Sequence, residues 1–178
     1  MNIVIAKNGQ EVILREAICE DAKEIIDFYN VVGEETTYLS FCGGEYKVTV
    51  DQQENMIKSV NSSENNTMIL ATINNEIIGI GTISSNQKIK GKHVGILGIV
   101  ITDEYCNLGL GKIIMDYLIN WCKSNNITKK ISLSVRQDNP RAIALYEKCG
   151  FESEGIFKND TYIDGEFYHI LNMGLILE

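Results

Sequence analysis

Residues 94–101, VGILGIVI, are apolar almost throughout, and eight residues later the chain turns through two glycines, one residue apart, into an apolar-periodic helix, GLGKIIMDYLINW. An uninterrupted apolar run of that length predicts a strand covered on both faces and lying centrally in a sheet. Gly95 and Gly98 interrupt it. Glycines inside a strand mark a bulge or close approach of a ligand to the backbone, or they make room for a packed helix. The helix that follows, running to about Asn125, begins at its glycines with unpaired N–H groups and the positive end of its dipole facing the loop. An anion such as a pyrophosphate suits that place. A Gly-rich turn that only permits tight helix packing suits it equally.

Strand-like and helix-like runs alternate along the rest of the chain, with no long linker and no internal repeat. One mixed α/β domain spanning residues 1–178 is the economical reading. Its 178 residues, 44% hydrophobic and 22% charged, have the balance of a globular protein with a single core. Ile3–Ile5 and Val12–Leu14 flank Asn8-Gly9, a hairpin turn. Ala22, Ile25, Ile26 and Tyr29 mark an amphipathic helix that should end near Gly33. Residues 34–50 show no firm periodicity and suit a binding loop; a short helix at 51–60 follows. Strands at 68–73 and 77–83 join at Asn74-Asn75. Another strand covers 130–135, and a helix capped by Asn139 with Pro140 in its first turn stops at Gly150. Strands at 155–163 and 167–177, turning at Asp164-Gly165, close the chain.

The glycine loop fails two phosphate motifs. A Walker loop needs four residues before its Gly-Lys-Ser/Thr, and Gly111-Lys112 is followed by Ile113. A dinucleotide fingerprint needs a third glycine where Ile114 stands. Further along, LSVRQDNPRAIALYEKCGF supplies Asn-x-x-Ala-x-x-x-Tyr-x-x-x-Gly-Phe over 139–151. With strand, glycine loop, helix and strand before it, nearly the whole chain resembles the GNAT superfamily of acyl-CoA-dependent N-acetyltransferases.

That resemblance implies a mixed, mostly antiparallel sheet, splayed at the cofactor site and flanked by helices. It implies acetyl-CoA as cosubstrate, with Ile99, Val100 and Ile101 pairing with the pantetheine arm. Asn107, Leu108, Gly109, Leu110, Gly111 and Lys112 form the pyrophosphate loop, the amides from Leu108 to Lys112 being its cradle. Asn139 contacts the CoA arm, and Tyr146 is both a cofactor contact and the general acid for the departing thiolate. By spacing alone, Ala142, Leu145, Tyr146 and Cys149 form the stripe by which a helix faces a core. The family loop opens on Arg or Gln, and here Cys106 stands there, removing a side-chain donor. Many relatives also carry a carboxylate on the central strand, yet residues 93–102 contain none. Glu34 and Glu35 resemble an acidic acceptor-side segment and are the candidates for the base; solvated loop charges are the plainer reading. Tyr38 and Tyr168 are candidates to line the acceptor pocket. His93 opens the central strand, and His169 stands where many relatives carry aspartate.

A net charge of -8 argues against nucleic acid and anionic membrane, and mildly favours a cationic ligand. Five scattered cysteines without a Cys-x-x-Cys pair fit a reducing cytosol. The apolar run at the amino terminus is too short for a signal peptide, and no stretch is long enough to span a membrane, so a cytoplasmic protein is expected. The leading expectation is acetyl transfer from acetyl-CoA to a primary amine by direct attack in a ternary complex, with no metal and no cysteine intermediate. A noncatalytic acyl-CoA-binding or regulatory module is the alternative, and an unrelated α/β nucleotide-binding domain is the remote one. Homodimers are common in the family, though no pattern here specifies an interface.

Overall fold

The computed structural model describes residues 2–177. Its most buried strand is β3 (Thr67–Ile73), in which every residue is buried. Ile69, Ala71 and Ile73 enter one hydrophobic core while Met68 and Leu70 enter another, the period of two that a strand shows between two layers. Around it lie β1 (Asn2–Ile5), β2 (Glu11–Glu16), β4 (Glu76–Ser85), β5 (Val94–Ile101), β6 (Lys130–Arg136), β7 (Glu152–Ile163) and β8 (Glu166–Ile176). They form one eight-stranded sheet in the order β1-β2-β3-β4-β5-β6-β8-β7. Every pairing is antiparallel except that of β5 with β6. Gly9, the Asn74-Asn75 pair and Asp164-Gly165 all take positive φ, as tight hairpin turns require.

The helices α1 (Ala22–Glu35) and α2 (Val50–Asn61) cover one face through Ile25, Phe28, Val32 and Ile57. On the other face lies α3 (Leu110–Ser124), which buries Ile114, Met115, Leu118 and Cys122; α4 (Pro140–Lys148) packs at the margin of the same core. Helix α1 runs two residues past Gly33, where a stop was expected. A Cβ at Gly33 would lie 2.9 Å from the carbonyl carbon of Cys42, so this glycine admits a crossing backbone and does not end the helix. Strand β7 starts at Glu152, ahead of Gly155, which lies at a register shift within it.

Strand β5 is central but not covered on both faces. Ile96 is 52% exposed and Ile99–Ile101 are half-buried. The reason is its neighbour. β4 pairs with β5 all the way to Ile101, and β8 pairs with β6 to Arg136, but among the described residues β5 and β6 pair only through Val94–Lys130, Gly95–Ile131 and Ile96–Ser132. Beyond those pairs the two strands part. The glycines of β5 serve the sheet itself: a Cβ at Gly98 would lie 2.7 Å from Thr82 Oγ1, and one at Gly95 2.8 Å from Ile83 Cγ2, both on β4.

Candidate active site

Three elements meet where β5 and β6 separate. A Cβ added to Gly111, in the first turn of α3, would lie 2.9 Å from Leu145 Cδ2 of α4 and 3.8 Å from Ile101 Cδ1 at the end of β5. The loop into α3 is shaped by backbone that few side chains tolerate: Asn107 has φ 67° and Gly109 φ 85°. Its position is fixed from outside by Lys7, whose N–H donates to the Leu108 carbonyl at 3.0 Å. Among the described residues, the N–H groups of Asn107, Leu108, Gly109, Leu110 and Gly111 donate to no protein acceptor. Lys112 differs from the expected cradle. Its N–H already donates to the Gly109 carbonyl at 3.1 Å, and its ammonium pairs with Asp116 at 2.6 Å. The unengaged run is therefore 107–111.

Tyr146 lies on α4, partly buried, its ring 6.0 Å from that of Phe151. Burial raises its phenol above the ordinary value of 10.0, so the group keeps its proton at neutral pH. Its hydroxyl donates to no acceptor among the described residues. Asn139 caps α4 by accepting from the Ala142 N–H at 3.1 Å, which uses its carbonyl oxygen and leaves its amide NH2 without an acceptor among the described residues. Ile99 and Ile101 pack toward the α3 core and Val100 toward the α1–α2 core, while the edge of β5 from Leu97 onward pairs with no residue of β6 among the described residues.

The two acidic candidates diverge. Glu35 Oε2 accepts from the Asp103 N–H at 2.9 Å, just past the end of β5. Glu34 instead lays its Cγ over Gly43, away from that strand end. His93 contributes its carbonyl to Lys129 and Lys130 and lies at the far end of β5 from the parting. His169 Nδ1 accepts from the Asn159 N–H at 3.1 Å, which engages that nitrogen with the backbone of β7. Tyr38 and Tyr168 flank a side chain that the sequence reading passed over. The Arg136 guanidinium lies 3.8 Å from the Tyr168 ring centroid and 4.8 Å from that of Tyr38. It also donates to both carboxylate oxygens of Asp138, at 2.9 and 2.6 Å, and to the Thr37 carbonyl at 2.9 Å. Hydrogen bonding from Arg136 holds the Asp138 carboxyl below its usual range. Beside this group Gln137, Asp138, Phe167, Tyr168 and His169 line a cavity of about 290 Å³.

Of the cysteines, Cys122 is pushed up to about 12 by burial and Cys149 is raised by the same cause, so neither is a thiolate at neutral pH.

A mixed sheet parts beside its central strand, and a run of amides without protein acceptors among the described residues stands at a helix start next to the opening. Residues 27–151 match the model of the acetyltransferase (GNAT) family, and the chain belongs to that family. It is 34% identical to the GNAT-family acetyltransferase of Streptococcus pneumoniae, whose crystal structure superposes with a TM-score of 0.91 over 94% of this chain and 99% of that one. The fold is also that of a phosphinothricin acetyltransferase from Sinorhizobium meliloti solved with acetyl-CoA (17% identity, TM-score 0.80, 93% of this chain and 88% of that one). An L-amino acid N-acetyltransferase of Escherichia coli is 32% identical over 56% of this chain and 61% of its own length. The chain spans between 45% and 61% of the length of the curated relatives it matches.

Proposed function

We propose that the protein is a cytoplasmic N-acetyltransferase that moves the acetyl group of acetyl-CoA to a primary amine by direct attack. The observation that carries this reading is the parting of β5 from β6 after Ile96 and Ser132, with the free amides of 107–111 alongside. The residues present fit acetyl-CoA: amides for the pyrophosphate, the unpaired edge of β5 for the amides of the pantetheine arm, and Asn139 at the start of α4. When bound, acetyl-CoA supplies an activated thioester carbonyl.

The chain's own groups do the rest. A backbone N–H on the free edge of Ile99–Ile101 polarises that carbonyl, a donor of a kind worth about 3 kcal/mol. Tyr146 holds the proton that goes to the sulfur as the carbon–sulfur bond breaks, a role worth roughly 10²- to 10⁴-fold. Glu35, with one oxygen fixed by the Asp103 N–H and the other free, accepts the proton lost by the amine as the carbon–nitrogen bond forms. Glu34 is the weaker candidate because it faces Gly43. The net charge of -8 favours a cationic amine, and the cavity beside Asp138 and Tyr168 is its place on the acceptor side. The Escherichia coli relative's name supports an amino acid as a further acceptor class.

The test is release of CoA thiol from acetyl-CoA across a panel of amino acids, polyamines and peptide amino termini, run beside thermal unfolding with CoA. Turnover with at least one amine is expected. Stabilisation by CoA without thiol release from any amine would leave a noncatalytic acyl-CoA-binding module, the reading that Cys106 and the carboxylate-free β5 favour.

A further inference from the structure

The loop's missing side-chain donor has a neighbour that can replace it. The chain has three arginines. Arg15 pairs with Asp21 and Arg136 with Asp138, whereas Arg141 meets no carboxylate among the described residues. Its Nη2 lies 3.0 Å from Cys106 Sγ, the position that opens the 106–111 loop, although 35 residues separate the two in sequence. Arg141 is also misplaced for its own helix. It follows Asn139 at the cap and Pro140 at the first position of α4, where the helix dipole disfavours a cation. Three residues further along the loop, the stem of Lys7 passes over Gly109, its Cε 3.4 Å from where a Cβ would stand, and Lys7 too has no carboxylate partner among the described residues. The cation within the loop sequence, Lys112, is by contrast taken up by Asp116.

We infer that Arg141, assisted by Lys7 beside Gly109, binds the pyrophosphate of CoA in place of the side-chain donor that Cys106 lacks. This rests on the acyl-CoA reading above. Two unpaired cations beside free amides, in a chain of net charge -8, are arranged for an anion, and a guanidinium offers a phosphate two parallel donors. The thiol is small enough to let the guanidinium reach the mouth of the loop. An arginine or glutamine at 106 would fill that space itself.

Calorimetric titration of CoA, dephospho-CoA and pantetheine into the wild-type chain, Arg141→Ala, Lys7→Ala, Cys106→Arg and the double variant Cys106→Arg/Arg141→Ala tests this. Arg141→Ala is expected to weaken CoA and dephospho-CoA alike by about tenfold or more, and Lys7→Ala by less, with pantetheine unchanged. Cys106→Arg alone should gain little beside Arg141, but in the double variant it should restore binding toward the wild-type value. Melting of the free variants within a degree or so of wild type shows that the fold is intact, as expected for an exposed side chain. Unchanged CoA affinity in Arg141→Ala overturns the inference while leaving the acyl-CoA reading intact. A loss confined to CoA, sparing dephospho-CoA, also overturns it by moving Arg141 to the 3′-phosphate. No binding of CoA by the wild-type chain overturns the reading beneath it.

Discussion

Tyr146 shows what spacing along a chain carries and what it leaves out. Its distance from Asn139 and from Gly150-Phe151 located it in the sequence, and the structure adds that its hydroxyl is unclaimed within the protein and its phenol raised by burial. Removing only that hydroxyl, in Tyr146→Phe, should lower kcat at least about tenfold with little change in CoA affinity. The pH profile gives a second check. An acid held above the ordinary phenol value stays protonated as pH rises through 8, so kcat should show no alkaline decline centred near pH 8 from this group. A fall in kcat centred near pH 8 would point to a different acid. Arg136 and Arg141 were not legible in the same way. What defines each is a long-range neighbour: Thr37 and Tyr168 for one, Cys106 for the other. A hint was available for Arg141, since a cation in the first turn of a helix opposes the dipole.

At the scale of elements, hairpins, helices and their order were readable from turn pairs and apolar periods, while depth of burial was not. An apolar run as long as β5 reads as a strand covered on both faces, yet β3 has that position and β5 borders the opening. Apolarity alone cannot distinguish a strand facing two layers from one facing a layer and a ligand. Glycines tell more once neighbours are known. A Cβ at Gly81 of β4 would stand 2.5 Å from Ile114 Cγ2, 3.1 Å from Leu118 Cδ1 and 3.2 Å from Ile69 Cγ1, so bare backbone there lets α3 settle on the sheet. Since α3 carries the 107–111 loop at its start, its seating sets the height of those amides relative to β5. Gly81→Ala should therefore cost about 2 kcal/mol of stability through overpacking, visible as a lower urea midpoint at constant slope. An unchanged midpoint would mean that Ile114 and Leu118 repack freely and that α3 is not held at a fixed height.

Across the whole molecule, the two hydrophobic cores lie on opposite faces of one sheet and place different halves of the proposed site. The α3 core carries the loop and Tyr146; the α1–α2 core carries Glu35 and the segment that follows it. Three contacts join the halves at the parting of β5 and β6. Glu35 accepts from the Asp103 N–H, the Tyr38 hydroxyl donates to the Asp138 carbonyl at 3.2 Å, and Arg136 donates to Thr37 while stacked between Tyr38 and Tyr168. Arg136 is the strongest of the three, because it is 7% exposed and forks onto Asp138 as well. Lysine cannot reproduce a fork, a backbone contact and a planar stack together. Arg136→Lys should thus lose roughly 2 kcal/mol of stability. It should also raise the KM for the amine at least about threefold, while CoA affinity, set by the other half, stays within error. An amine KM that does not move in a folded Arg136→Lys variant would detach residues 36–38 from the acceptor side. Equal losses for amine and CoA would instead make Arg136 a support for the whole opening, and would remove the division of labour between the two cores.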